Sequence, residues 1–286
     1  MIYITGDRHG DFSDISMWCT INKTTKKDIL IILGDAGINY YGKNSKDISL
    51  KEILNQLPIT FFCIHGNHEM RPTSIDTYKE TEFMGGIVYS EDDYPNILFA
   101  KDGEVYNFNG LKTLVCGGAY SVDKDYRLLR GWRWFSDEQP SEEIKKRVEE
   151  NCKSNNWNVD IMLTHTAPLK YEPTEWFIDG LEQDRIDKST EEWLDTIEDR
   201  LNYKKWYCGH YHGNKKLDKI QFMYGDIEKF YNYSKENFMT QEMAREIVQS
   251  LPSLYPLQPV EEEAIFTLLY PKELKSEKDS ELDIDM

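Results

Sequence analysis

All six histidines of this chain, His9, His65, His68, His165, His210 and His212, lie in short blocks that directly follow apolar runs. Tyr3-Ile4-Thr5 leads into Gly6-Asp7-Arg8-His9-Gly10, and Ile29 to Leu33 leads into Gly34-Asp35. Ile59 to Ile64 leads into His65-Gly66-Asn67-His68-Glu69, Ile161-Met162-Leu163 into Thr164-His165, and Trp206-Tyr207-Cys208 into Gly209-His210-Tyr211-His212. A short apolar run that stops at glycine or a polar cluster reads as a buried strand ending in a loop. In open α/β sheets the ligand crevice lies outside the carboxyl ends of the strands. Histidines serving only to pack would scatter over the chain. Asp, Asn and His delivered from five strand ends to one rim suit divalent metals, imidazole favouring Zn, Fe, Ni or Mn and carboxylate the harder ions.

A chain of 286 residues can bury one large core, or a catalytic domain with an appendage. The net charge of −17 opposes broad binding to nucleic acid or to anionic membranes, because phosphate backbones need basic surface. It does not exclude a small phosphorylated substrate or a nucleic-acid end. The five cysteines, Cys19, Cys63, Cys116, Cys152 and Cys208, are odd in number and form no C-x-x-C, so buried free thiols in a reducing compartment are expected. The chain enters its first strand at once and holds no apolar run of the roughly 18 residues a membrane helix needs. A cytoplasmic protein with no membrane partner is the expectation.

Between the strand ends, helices are expected over Phe12 to Lys27, with Ile15, Trp18, Cys19 and Ile21 inward, and over Ser49 to Leu57, which Pro58 stops. Ser141 followed by Glu142 and Glu143 opens another helix, running to about Asn155, and Ser189 to Leu201 forms the next. Pro72 to Lys79 reads as a short helix, and 217–224 as one more strand. Ile97 to Ala100, Val105 to Phe108 and Leu111 to Cys116 read as antiparallel strands of a second sheet, with Asn109-Gly110 as a two-residue hairpin turn. Residues 120–135 have no clean period and carry Arg127, Arg130 and Arg133 among aromatics. The character changes near 226. The expected division is a catalytic domain over 1–225, a helical appendage over 226–271 available for self-association, and a charged, disordered tail over 272–286.

Asp7-Arg8-His9, Gly34-Asp35, Gly66-Asn67-His68-Glu69, His165 and Gly209-His210-Tyr211-His212 resemble the five ordered blocks of the calcineurin-like metallophosphoesterases. A lone Gly-Asp carries nothing; five blocks in order, each at a strand end over about 1–225, are specific. The resemblance implies an α/β fold: a four-layer α/β/β/α sandwich of two mixed sheets with two divalent metals at the strand ends. It assigns Asp7, His9 and His212 to the first metal, Asn67, His165 and His210 to the second, and Asp35 as the bridge. Mn, Fe, Ni and Zn all qualify, Mn being the first choice in vitro. Two metals about 3.5–4 Å apart can clamp one phosphoryl group and activate a water between them for in-line attack. His68, beside the ligand Asn67, takes the role of general acid or phosphate contact. His65 is expected to face the core or a carboxylate behind the ligands.

The blocks also depart from one branch of that family. Protein serine/threonine phosphatases carry G-D-x-x-D-R-G, whereas Gly34-Asp35 is followed by Ala36-Gly37-Ile38-Asn39, with neither the second Asp nor the Arg. This favours a phosphodiester or phosphomonoester of a nucleotide or nucleic-acid end over a phosphoprotein. Positive charge for the substrate is expected from Arg8, Arg127 and Arg130, with Arg133 a further candidate. Aromatics beside arginines suit stacking on a base. Equally, Trp132, Trp134 and Phe135 can pack on the sandwich while the arginines pair with the protein's own carboxylates. A metal-dependent scaffold with negligible turnover is the alternative from another class, although no assigned ligand is missing.

Overall fold

A computed structural model describes residues 1–177 and 183–231. The first sheet contains β1 (Ile2–Thr5), β2 (Ile29–Ile32), β3 (Thr60–Cys63), β4 (Lys79–Phe83), β5 (Gly86–Ser90) and β6 (Ile97–Ala100). The second contains β7 (Val105–Phe108), β8 (Leu111–Cys116), β9 (Ile161–Thr164), β10 (Lys205–Cys208), β11 (Lys215–Leu217) and β12 (Ile220–Phe222). A short β13 (Glu228–Lys229) returns to the first sheet, whose order is β13-β1-β2-β3-β6-β5-β4, against β11-β12-β10-β9-β8-β7 in the second. The central strands of both sheets are parallel and the outer pairings antiparallel, so both sheets are mixed.

Both faces of these central strands are covered, which is why their sequences are continuously apolar rather than alternating. Tyr3, Leu30, Ile32, Phe61 and Cys63 face α1 (Ile15–Asn22) and α2 (Ser45–Gln56). Leu114, Met162, Trp206 and Cys208 face α4 (Glu142–Ser154) and α5 (Ser189–Glu198) on the opposite side; α3 (Lys124–Arg130) lies between in sequence. The middle of the sandwich is aromatic: Phe62 of β3 meets Tyr106 and Phe108 of β7 at ring distances of 4.9 and 5.1 Å. The result is helix, sheet, sheet, helix. The five cysteines are buried free thiols, and among the described residues no helix is long and apolar enough to cross a membrane.

Local chemistry explains the boundaries. Asn109 and Gly110 both take positive φ, 56° and 87°, as a primed two-residue hairpin turn requires. Ser141 caps α4 by accepting from the Ile144 amide, with Glu142 and Glu143 in its first turn. Five expectations shift. Ile97–Ala100, expected in the second sheet, is β6 of the first, parallel to β3 and antiparallel to β5. α1 spans only Ile15–Asn22, and Ile21 is 71% exposed because Ile15 and Cys19, four apart, already define the inward stripe. Asn44 caps α2, so that helix starts at Ser45. Pro72–Ser74 is a single 3-10 turn before β4, an edge strand reading Lys-Glu-Thr-Glu-Phe whose first four residues are exposed. Residues 217–224 divide into the ends of a hairpin, β11 and β12.

The compact unit extends to Phe230. Residues 226–230, expected in the appendage, contribute β13, which pairs Tyr3 with Lys229 and Ile4 with Glu228, while the Phe230 amide donates to Ile2 O. Phe230 is 4% exposed and packs on Phe108 and Tyr207 between the sheets, burial an appendage would not have supplied. The expected helices past 231 and the charged tail lie outside the described residues.

Candidate metal centre and its surroundings

The parallel strands β1, β2, β3, β9 and β10 end at one rim, and residues one to four positions beyond them turn side chains inward. Four of these side chains sit on left-handed backbone: His9 at φ 48°, Asp35 at 47°, His210 at 69° and His212 at 50°. Non-glycine residues avoid this region, and such strain gathers at functional sites where the surrounding fold enforces it. The loops also press closely together. A Cβ on Gly66 would fall 2.0 Å from Asp35 Oδ1 and 2.1 Å from the Asp35 amide nitrogen.

The seven residues assigned from the blocks converge. Ligand atoms of Asp7, His9 and His212 lie within 4.8 Å of one another, as do those of Asp7, Asp35 and His165. Asp35 Oδ2 stands between the two sets, 3.9 Å from His9 Nδ1 and 3.7 Å from His165 Nε2. Asn67 joins through its Oδ1, 2.8 Å from His165 Nε2, and the His210 ring lies edge-on to that of His165 at 5.1 Å. Backbone amides fix the carboxylates: His68 N donates to Asp35 Oδ1 at 2.8 Å and His210 N to Asp7 Oδ1 at 2.9 Å.

The donor set fits cations. His165 Nδ1 faces Leu33 O at 2.7 Å, so in a neutral ring the proton sits there and Nε2 is an acceptor. Asn67 Nδ2 donates to Ser121 Oγ at 2.9 Å, which aims Oδ1 at that same Nε2. Two acceptors thus face each other across 2.8 Å, a contact that a metal ion between them relieves. His9 Nε2 and His212 Nε2 lie 2.9 Å apart beside them. Asp7 Oδ2 is buried without a well-aligned hydrogen bond, although His212 Nε2 is 3.3 Å away. Burial alone would raise the Asp7 carboxyl, but His212 beside it and the charges of His165 and His9 hold it down at about 2. Burial, reinforced by His165, lowers His210 to about 3, leaving the unprotonated imidazole that ligation needs.

His68 borders this cluster. Its Nε2 lies 3.1 Å from Arg127 Nη2 and 4.0 Å from Asp123 Oδ1, and burial followed by the Arg127 charge lowers it to about 3. Arg127 is held in turn by Asp123, whose two oxygens accept from Nε at 2.9 and 2.8 Å. α3 and the residue that precedes it therefore present a guanidinium and a carboxylate to His68. The sequence pattern pointed to Arg127 but gave no reason to single out Asp123. The other arginines lie elsewhere. Arg8 is 8% exposed, its guanidinium spent on Asp11 O, Gly225 O and the Asp14 carboxylate. Arg130 covers the Tyr126 ring, and Arg133 donates to Tyr41 O. His65 is buried in the core with neither ring nitrogen hydrogen-bonded, rather than facing a carboxylate.

Sequence reasoning also missed Ser121 and Glu138. Glu138 accepts from Ser121 twice, from the amide at 3.1 Å and the hydroxyl at 2.5 Å, and the hydroxyl holds the Asn67 amide. Such partners behind a ligand commonly contribute 10–100-fold to metal affinity. Ser121→Ala is accordingly expected to weaken retention of one of two metals by roughly 10–100-fold, while the other stays. Metal content after equilibration with a graded chelator reads this directly; two metals held at wild-type strength would remove Ser121 from the site.

Glu191 gives a pH signature. Burial, opposed only partly by the Thr166 hydrogen bond, pushes its carboxyl from 4.5 to about 7. Below 4.5 it is protonated in folded and unfolded chains alike; as pH rises from 4.5 to about 7 only the unfolded chain has shed the proton, so wild type loses stability across that window and no further above it. Glu191→Gln avoids that loss and should gain on wild type by up to roughly 3 kcal/mol above pH 7. Urea unfolding at about pH 5 and about pH 8 checks it; an equal difference at both would refute it.

A family model described as calcineurin-like phosphoesterase matches residues 1–214. No curated protein matches the chain. Ten chains of solved structures match; one is 15% identical, covers 80% of this chain and 98% of its own length, and has a TM-score of 0.45.

Proposed function

The chain belongs to the calcineurin-like phosphoesterase family, and from that premise we propose that it is a two-metal hydrolase of phosphomonoesters or phosphodiesters. The observation carrying this reading is the convergence of seven metal-type side chains on one rim, with acceptors facing acceptors at 2.8 Å between His165 and Asn67. Asp7, His9 and His212 would hold one metal, Asn67, His165 and His210 the other, with Asp35 between. Bound there, the pair supplies Lewis-acid activation of water and neutralises charge developing on the phosphoryl oxygens.

The protein's own groups do the rest. The amides of His68 and His210 keep the Asp35 and Asp7 carboxylates oriented. Arg127, pinned by Asp123, offers its guanidinium beside His68 for a phosphoryl oxygen. His68, neutral as found, still has one ring N–H with which to hydrogen-bond the leaving oxygen. A bound phosphate offsets the Arg127 charge that depresses His68 and so favours its taking up a second proton. A phosphoprotein substrate is disfavoured, since Ile38, where the phosphatase branch has its second Asp, is buried and apolar.

The test is turnover of bis-p-nitrophenyl phosphate and p-nitrophenyl phosphate by metal-stripped protein refilled with Mn, Ni, Zn or Fe. Hydrolysis that returns only with metal is the expected result, and faster diester cleavage marks a phosphodiesterase. Two bound metals with no turnover of either ester would instead leave a metal-dependent binding protein.

A further inference from the structure

Beside the metal cluster opens a cavity of about 750 Å³, reaching from Asp35, Asn67 and His210 to a far wall of other chemistry. That volume is ample for a drug-sized organic group and far more than a phosphoryl group needs. The far wall carries the rings of Trp176, Phe177 and Tyr120, together with Ile186. Its charge is negative. Glu172 and Lys188 pair at 2.8 Å, and Asp123 is taken by Arg127. Asp187 accepts from the Ser189 amide at 3.0 Å and from Gln139 at 2.9 Å, neutral donors that leave its charge in place. Glu191 is 5% exposed; its Oε1 accepts from Thr166 and its Oε2 has no partner. Among the described lining residues, no lysine or arginine remains without a carboxylate.

Phosphate binding requires the opposite. A second phosphate on the substrate, extending into this cavity, would meet the Asp187 carboxylate without a cation to receive it. Aromatic rings suit a flat ring system, and carboxyl oxygens with lone pairs to spare suit hydroxyl and amino groups. Resting on the hydrolase reading above, we propose that the cavity holds the organic arm of a phosphate ester of the nucleoside class: an aromatic base and hydroxyls, with no further phosphate. Trp176 and Phe177 take the base, and Asp187 and Glu191 take the hydroxyl or amino donors. The metal rim takes the single phosphoryl group. Polyphosphorylated nucleotides and chain-internal nucleic acid are excluded by the same wall.

Three diesters sharing one p-nitrophenolate leaving group test this on metal-loaded, full-length protein: methyl p-nitrophenyl phosphate, thymidine 5′-(p-nitrophenyl phosphate), and its 3′-phosphorylated analogue. The thymidine arm is expected to raise kcat/KM at least tenfold over methyl, and the added 3′-phosphate to cancel at least tenfold of it. Trp176→Ala should collapse the first ratio and Asp187→Asn the second. Ratios measured on one preparation are unaffected by any loss of folded protein. No gain from thymidine, or faster cleavage with the added phosphate, overturns the proposal. If no ester turns over with metals bound, the hydrolase reading falls, and the cavity is decided by calorimetry with thymidine alone. Binding abolished by Trp176→Ala would sustain the cavity assignment; no binding to wild type would overturn it.

Discussion

Asp35→Asn is expected to lower ester hydrolysis by about 1,000-fold or more while making the metal-free protein more stable. The Asp35 carboxylate is 1% exposed and sits between the two ligand sets. The amide is nearly isosteric, so the His68 N–H can still donate to its oxygen, but the negative charge it would offer to bound metal is lost. Metal content should fall below two per chain. Stability moves the other way because the metal-free rim crowds buried carboxylates. Glu69, fully buried, is pushed up to about 8 by burial and then by the Asp35 charge. Removing that charge relieves a repulsion the fold tolerates only for the sake of the site. Metal analysis, aryl ester turnover and a thermal melt with chelator present check all three. A variant that keeps both metals and full turnover would take Asp35 out of the centre. One that melts lower without metal would refute the crowding.

Gly66→Ala is expected to fail by a different route. Its new Cβ would lie 2.0 Å from Asp35 Oδ1, 2.1 Å from Asp35 N and 2.7 Å from Asp35 Cα. Two of these are backbone atoms, so no side-chain rotation relieves the clash and one loop must move off the other. Overpacking of this kind costs about 3 kcal/mol or more, near 10 °C of melting temperature for a domain of this size. The displaced Asp35 should take the metal pair with it. Gly85→Ala is the control: nothing lies within 4 Å of its Cβ, and only its φ of 84° penalises the change, by about 1 kcal/mol. Equal melting temperatures for the two variants would show that the loops do not abut as described.

Much of the centre was legible because strand ends leave a linear trace. An apolar run stopping at Gly34 or Gly66 marks both the end of a buried strand and the place where two loops must nearly touch. Asp7, His9, Asp35, Asn67, His165, His210 and His212 could each be found from one short block. Ser121, Asp123 and Glu138 could not. Ser121 acts on Asn67, 54 positions away, Asp123 faces His68 across a similar separation, and Glu138 reaches the centre only through Ser121, all within a stretch lacking helical or strand period. Arginines raise the same difficulty, since only tertiary partners show that Arg8 is engaged by Asp14 and Gly225 while Arg127 reaches His68. Ile21 illustrates the lesser error of treating an apolar residue as inward when α1 had already filled its stripe.

The pairing of β13 with β1 bears on the order in which this polypeptide can fold. β1 precedes every other described strand, yet its outer edge finds a partner only when Glu228 and Lys229 arrive, more than 220 positions later. During synthesis the nascent chain therefore carries an open strand edge beside Phe108 and Tyr207, the surface that Phe230 finally covers. A chain ending between residues 213 and 227 holds every metal-type side chain of the centre but no partner for the open edge of β1. Among the described strands, β13 is the clasp that ends that exposure.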